Sequence, residues 1–333
     1  MTVFFFQRKP IPKKTFSIEV LFDSLRKHLP DTLQYQVVRS SFVNSGWGKK
    51  LYNTFEILFK SQGDINHITG DVHYIAIFMK KRKTILTIHD LNLLNLPSAF
   101  KRTIHRWFWL EIPIRKSQVV TVISQTTKEQ ILQHTHCPPE KIRVIYNCVS
   151  SAFKAHPKEF REREPIILQV GIKPNKNLGR VAEALEGISC QLEIIGKPLE
   201  RDLALLEKYK INYRWEVDLT NEQVVQKYID CDMLVFISTY EGFGLPIIEA
   251  NAVGRPVVTS NISSLPEVAG DAAHLVDPFS VSSIRSGIVK VIREPSYREQ
   301  LIKNGWNNCQ RFMPSTIAAA YAQLYQEVFE QTR

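Results

Sequence analysis

The sequence predicts an α/β protein built from two doubly wound domains. Three observations carry that prediction. Short apolar bursts alternate with helical patterns along most of the chain, as expected of βαβ units around parallel sheets. Twelve such bursts are too many for one compact sheet. A polar stretch without a strand pattern then divides them near the middle of the chain.

In the first half, strands are expected at Val3–Phe6, Tyr35–Val38, Ile65–Ile68, Thr84–His89, Val119–Ile123 and Ile142–Tyr146. Helical patterns lie between them, for example Ser17–Leu29 and Thr126–His134. The segment SSAFKAHPKEFREREP has the composition of a linker and places the domain break near Asn147–Glu164. The expected domains are therefore residues 1–150 and 151–313. In the second half, strands are expected at Ile166–Val170, Gln191–Ile195, Arg214–Val217, Met233–Ser238, Pro256–Thr259 and His274–Val276. The chain closes with an amphipathic helix over Pro314–Phe329, its apolar face formed by Ile317, Ala320, Tyr321, Leu324 and Val328.

Composition bounds the class. Of 333 residues, 44% are hydrophobic and 23% charged, which suits an ordinary globular chain with enough apolar surface for two domains. The first apolar run, Val3–Phe6, is too short for a signal peptide, and no run approaches a membrane span. The cysteines Cys137, Cys148, Cys190, Cys231 and Cys309 are scattered and odd in number, which points to free thiols in a reducing cytoplasm. The formal charge of +10 is uneven: residues 1–150 carry +12 and residues 151–333 carry −2. Such a basic half suits anionic lipid, nucleic acid or acidic glycan, or simply a solvated surface.

Ligands of open α/β sheets bind beyond the carboxyl ends of the strands, so the strand ends are the places to search. In QVGIKPNKNLGRVAEAL, Gly171 allows a tight turn, Lys173 and Lys176 follow, and Asn177 is placed to cap the next helix. Lysines at a helix N-terminus oppose its dipole unless an anion such as a phosphate lies there too. Taken alone, this is also the pattern of an exposed lysine-rich loop. In STYEGFGLPIIEA, Glu241 sits at a strand tip and Gly242, Phe243 and Gly244 form a turn. Pro246 suits a first helical position, Gly254 ends the helix, and Glu249 falls in its first or second turn. Two carboxylates at one helix mouth accept hydroxyl protons in pairs, as ribose and sugar diols offer them. A later loop adds Asn261, Ser263, Ser264, Glu267 and Gly270. In the first half, His89 and Asp90 lie at a strand's C-terminal tip, and ITGDVHY offers Gly70, Asp71 and His73 at a similar tip. The string His134–Cys137 lacks a second ligand pair at suitable spacing, so no metal is expected.

The segments EGFGLPIIEA, NAVGRPVVTSNISSLPEVAGDAAHLVDP, VGIKPNKNL, IHDL, VVTVISQTTKEQI and KIRVIYN together resemble retaining glycosyltransferase family 4. Its E-x7-E motif is matched by Glu241 and Glu249, and the resemblance runs from about residue 64 to the end of the chain. It implies the GT-B fold, two Rossmann-like domains facing across a cleft, with the last helix, 314–330, returning to the first domain. It implies transfer of a sugar from a nucleoside diphosphate sugar to an acceptor hydroxyl with retained anomeric configuration and without a metal or other cofactor. By the same resemblance, Glu249 holds the donor ribose and Glu241 contacts the donor sugar. Gly242, Phe243, Gly244 and Leu245 form the loop whose N–H groups meet sugar hydroxyls and the diphosphate. Lys176 binds the diphosphate beside Gly171, and His89 lies near the donor sugar.

Departures exist. Ile172 stands where the family often has an arginine, with Lys173 as a substitute. The stretch QRKPIPKKTFS lacks the glycines of the usual first loop, Val217 lies where a glycine is usual, and Cys148 replaces a frequent glycine. The segment TIHDLNLLNLP resembles the mannosyltransferase-like branch, which favours GDP-mannose over a UDP-sugar. The acceptor stays open among a lipid-linked oligosaccharide, a lipopolysaccharide core and a capsular glycan. The basic, aromatic stretch Ala99–Lys116 either rests on anionic lipid at the cytoplasmic membrane face or packs inward. Two other readings are a GT-B-like nucleotide-sugar epimerase and a basic polyanion-binding protein. The intact E-x7-E motif argues against the first, and the lack of any nucleic-acid-binding motif against the second.

Overall fold

Parallel strands buried on both faces read as continuous apolar runs. The computed structural model shows them in that form, and it describes residues 1–9, 17–42, 48, 52–56, 63–70, 72–91, 103–104 and 106–332. The chain divides into two units, Met1–Cys148 with Pro314–Arg333, and Val149–Met313.

The first unit holds β1 (Thr2–Gln7), β2 (Gln34–Arg39), β3 (Ile65–Ile68), β4 (Thr84–Ile88), β5 (Val119–Val122) and β6 (Ile142–Val144). They form a parallel sheet in the order β2-β1-β3-β4-β5-β6. The helix Pro314–Glu330 belongs to this unit. It presents Ile317, Ala318, Tyr321, Leu324, Tyr325 and Val328 to the interior, while Ala320, expected on that face, is exposed. Counted from Ile317, the stripe takes positions i+1, i+4, i+7, i+8 and i+11, while Ala320, at i+3, lies at its margin. Beneath the helix His67 is fully buried: its Nδ1 is 2.7 Å from the Tyr325 hydroxyl and its Nε2 2.6 Å from Thr87 Oγ1. Burial, reinforced by His89 and Arg26, pushes the His67 imidazole down to about 3, so it is neutral.

The second unit holds β7 (Ile166–Val170), β8 (Gln191–Ile195), β9 (Asn212–Glu216), β10 (Met233–Phe236), β11 (Val257–Ser260) and β12 (His274–Val276). Its sheet runs β12-β11-β10-β7-β8-β9, all parallel. Read from β9, that is the doubly wound order 3-2-1-4-5-6, whose direction reverses between β7 and β10. All four residues of β10 and of β11 are buried. Most of β9, at the sheet edge, is exposed, and the strand starts two residues before the expected Arg214. The ladder of β10 stops at Phe236, short of the expected Ser238, although Ile237 and Ser238 stay buried. All five cysteines are buried and unpaired. Among the described residues, no helix is long and apolar enough to cross a membrane.

Candidate functional site

The reversal between β7 and β10 is where a doubly wound sheet leaves a crevice outside its strand ends, and the chain delivers its singular residues there. β7 ends at Val170, and Gly171 turns the chain with φ of +85°. A Cβ at Gly171 would come within 3.1 Å of the Lys176 side chain, so the glycine makes room for that lysine. A short 3-10 turn, Pro174–Lys176, follows. Gln169 Nε2 donates to the Lys176 carbonyl at 3.0 Å, and the Asn175 carbonyl accepts from Thr239 N–H at 2.8 Å, which ties the turn to the chain beyond β10. Lys173 points its exposed side chain outward from the same turn.

The expected capping by Asn177 is corrected. Asn177 stands before the helix Leu178–Leu185 in a left-handed conformation, φ 62°, and makes no side-chain cap bond. Its Nδ2 donates to the Pro278 carbonyl at 2.7 Å and its Oδ1 accepts from Arg180 at 3.0 Å. The left-handed backbone leaves the side chain anchoring a neighbouring loop instead of meeting the helix N–H groups.

Beyond β10, Glu241 is held from three directions. Lys176 Nζ lies 2.5 Å from its Oε1 and also 4.4 Å from the centroid of the Phe236 ring. Asn175 Nδ2 donates to the same oxygen at 3.3 Å. Glu241 N–H donates to Ser263 Oγ at 3.1 Å, and Ser264 Oγ donates to the carbonyls of Glu241 and Phe243 at 3.0 and 2.7 Å. The serines of the later loop thus fix the backbone of the turn. The Phe243 side chain is buried, edge-on to Phe312 at 5.7 Å. Its ring is therefore core, and only its backbone remains for the role expected of it beside Gly242. Gly244 adopts φ of +115°, and a Cβ there would meet Leu265 at 2.8 Å.

The helix Leu245–Val253 starts at Leu245 with Pro246 second, which puts Glu249 in its second turn, and it ends at Gly254 with φ of +85°. Tyr228, on the helix Asn221–Asp230, donates its hydroxyl to Glu249 Oε2 at 2.5 Å. As a residue Glu249 is only partly buried, yet its carboxyl group is enclosed by protein. That enclosure pushes it up to about 7, while the Tyr228 bond and the Lys176 charge pull the other way. Lys176 thus binds one carboxylate and acts electrostatically on the other. The sequence pattern marks neither Tyr228 nor Asn175 as a site residue. Asn175 lay in the same turn as Lys176, whereas nothing in NEQVVQKYID sets Tyr228 apart from a core aromatic.

His89 lies at the carboxyl end of β4 in the first unit. Its Nε2 is 2.9 Å from the Thr69 carbonyl and its ring is edge-on to Phe22 at 6.2 Å. In the string His134–Cys137, His136 Nδ1 lies 3.1 Å from Glu111 Oε1 and Cys137 is buried. Among the described residues, no group of three or more His, Cys, Asp or Glu side chains is placed to hold a metal. Of the stretch Ala99–Lys116, residues 99–102 and 105 lie outside the described residues. The rest divides: Trp107 and Phe108 are 47% and 40% exposed, while Trp109 and Leu110 are buried. Asp71, residues 10–16 of the basic first loop and residues 92–97 after His89 also lie outside the described residues.

Two family models match the chain. "Glycosyl transferases group 1" takes residues 151–307 and "Glycosyltransferase Family 4" residues 25–153. The chain belongs to glycosyltransferase family 4. Among its relatives, the serotype-specific mannosyltransferase WbdA of Escherichia coli is 26% identical over 257 residues, covering 69% of this chain but 32% of that protein. The O-antigen chain mannosyltransferase RfbU of Salmonella typhimurium is 29% identical over 224 residues, covering 64% of this chain and 62% of that protein. The chain thus spans less than two thirds of either relative. Anabaena HepE, in complex with UDP and glucose, matches with a TM-score of 0.76 at 15% identity over 98% of this chain and 100% of its own. WaaG, a glycosyltransferase involved in lipopolysaccharide biosynthesis, matches with a TM-score of 0.70 at 15% identity, over 97% of this chain and 99% of its own. At such identities the likeness speaks for the fold, and that fold is GT-B.

Proposed function

We propose that this family 4 member is a retaining glycosyltransferase. It moves a hexose from a nucleoside diphosphate sugar to a hydroxyl of a glycan or lipid-linked acceptor in cell-surface polysaccharide synthesis. The observation that carries the reading is one lysine, Lys176, shared between Glu241 and Glu249 at the sheet's reversal point. The O-antigen mannosyltransferase relatives support a mannosyl donor, GDP-mannose, ahead of a UDP-sugar. The UDP complex of HepE supports a nucleoside diphosphate as the group bound.

In this reading Glu249 accepts the ribose hydroxyls and Glu241 those of the donor sugar. The backbone N–H groups of Gly242, Phe243, Gly244 and Leu245 face the sugar and diphosphate. Lys176 and Lys173 meet the charge that develops on the departing diphosphate. The bond from the anomeric carbon to the phosphate oxygen breaks, a bond to the acceptor oxygen forms on the same face, and the acceptor proton passes to the departing phosphate. This chemistry runs without a metal. Lys176 pairs with Glu241, and phosphate oxygens of a bound diphosphate offer the same ammonium a second kind of anionic partner. The resemblance gives His89 a contact with the transferred sugar, and that role is proposed on the resemblance alone. The basic first unit, with Trp107 and Phe108 exposed, suits a protein working at the cytoplasmic face of an anionic membrane.

The test is an assay with GDP-mannose or UDP-glucose, a lipid-linked oligosaccharide acceptor and a chelator, followed by proton NMR of the product's anomeric centre. The expected product keeps the donor's anomeric configuration. An inverted product, or turnover that needs an added divalent cation, overturns the mechanism proposed.

A further inference from the structure

A carboxylate that grips a diol must present at least one oxygen at a fixed angle. Glu249 has one oxygen committed: Oε2 accepts the Tyr228 hydroxyl at 2.5 Å. Among the described residues Oε1 makes no hydrogen bond. Tyr228 itself is fully buried, its ring edge-on to Phe153 at 5.3 Å. A phenylalanine would fill that volume equally well, so among the described residues Glu249 alone accounts for the hydroxyl.

The pair is also registered from its far end. Arg255, 2% exposed, follows the glycine that ends the Glu249 helix. Its Nε donates to the Tyr228 carbonyl at 3.1 Å and its Nη2 to the Ile229 carbonyl at 2.8 Å. Its Nη1 donates to the carbonyls of Val253 and Gly254 at 3.4 and 3.1 Å. One guanidinium therefore closes the carboxyl ends of both helices, where a cation is favoured, and holds the two side chains in register. We infer that Tyr228 is a positioning residue for donor binding: its hydroxyl holds one oxygen of the Glu249 carboxylate and leaves the other to receive the vicinal hydroxyls of the nucleotide's ribose. This rests on the reading of Glu249 given above.

The bond also keeps the carboxyl ionised more readily than its enclosure alone would allow. The charged or titrating groups that act on Glu249 from the elements packed around it are Tyr228 and Lys176. Those acting on Tyr228 are Glu249 and the buried Cys231. Cys309, whose thiol donates to the Ile248 carbonyl, is held neutral by burial at about 12.

The experiment is the pH dependence, from 5.5 to 9, of GDP and UDP affinity in the full chain and its Tyr228→Phe variant, with Glu249→Gln as reference. In the parent protein, affinity falls as pH drops through the Glu249 midpoint. Tyr228→Phe moves that midpoint up by roughly one pH unit, which makes binding about fivefold weaker at pH 7 and unchanged at pH 9. A loss of equal size at every pH, with the midpoint unmoved, means that Tyr228 only packs, and overturns the inference. If Glu249→Gln removes the pH dependence while Tyr228→Phe does not shift it, the inference falls and the site reading stands. If Glu249→Gln leaves affinity untouched, both fall. Should Tyr228→Phe lower the melting temperature, 3-fluorotyrosine placed at Tyr228 keeps the volume and donates more strongly. The midpoint then moves down, and an unmoved midpoint again overturns the inference.

Discussion

Replacing Glu249 by glutamine should make the protein more stable at neutral pH and less able to bind its nucleotide. The carboxyl titrates at an ordinary 4.5 in the unfolded chain but at about 7 in the folded one, chiefly because protein encloses it. A raised folded value means that this group's contribution to stability is fully present below 4.5 and is lost as pH rises through 7. At 1.36 kcal/mol per pH unit the loss is about 3 kcal/mol, and the partial exposure of Glu249 reduces it to about 2 kcal/mol. Glutamine has similar volume and its amide oxygen still accepts the Tyr228 hydroxyl, but it carries no charge to enclose. Thermal melts of parent and Glu249→Gln at pH 8 should differ by about 5 °C in favour of the variant, for a unit of this size. At pH 4.5 the difference should vanish. Calorimetry at pH 8 should show GDP or UDP binding weakened at least about tenfold, since an amide oxygen accepts less strongly than a carboxylate. A variant less stable than the parent at pH 8, or a gap that does not change with pH, refutes the reasoning. Such a gain in stability at the expense of binding is common where a binding site stores an unfavourable charge.

On the proposed mechanism, in which the charge of Lys176 acts most as the diphosphate departs, Lys176→Ala should lower kcat by about 10²–10³-fold and donor KM far less; initial-rate kinetics with GDP-mannose check this, and equal effects on both would contradict it. Gly244→Ala forces a Cβ into a left-handed backbone with Leu265 at 2.8 Å; melting should show a loss on the order of 1–3 kcal/mol, with weakened nucleotide binding. The neutral His67 gives the first unit an acid sensitivity of opposite sign to that of Glu249: with its folded value pushed down to about 3, its contribution is present above 6.5 and is lost as pH falls towards 3. The protection factors of the β3 and β4 amides, which allow for the slower intrinsic exchange in acid, should therefore fall between pH 6.5 and 4 by more than in His67→Gln. Vesicles containing anionic lipid should sediment the protein at low salt and release it at high salt, with Trp107→Ala and Phe108→Ala weakening the association; indifference to salt and to both substitutions would reject a membrane surface for this stretch.

The strands were legible in the sequence because their burial makes them apolar: MLVF in β10 and VVTS in β11 can hardly be anything else. Their ends were less so. Edge strand β9 starts early because its exposed residues break the apolar signal, and β10 stops early although Ile237 and Ser238 remain buried. Lys176, Glu241 and Glu249 could be grouped because they follow two strand ends that the doubly wound order makes neighbours. What binds them could not be read locally. The Tyr228–Glu249 bond joins residues on different helices, Asn177 turned left-handed to reach Pro278, and Phe243 left the turn for Phe312. Each depends on a partner distant in sequence. The run Trp107–Leu110 shows the same limit, for its aromatics divide between surface and core.

The most direct test of the central claim is calorimetric titration of the full chain with GDP and with UDP, in chelator, on the parent and on Glu249→Ala. One nucleotide is predicted to bind at a single site and to lose that binding in the variant, and the nucleotide that binds names the class of sugar donor. If neither nucleotide binds the parent protein, or if Glu249→Ala binds as the parent does, the donor site is not at the junction of β7 and β10.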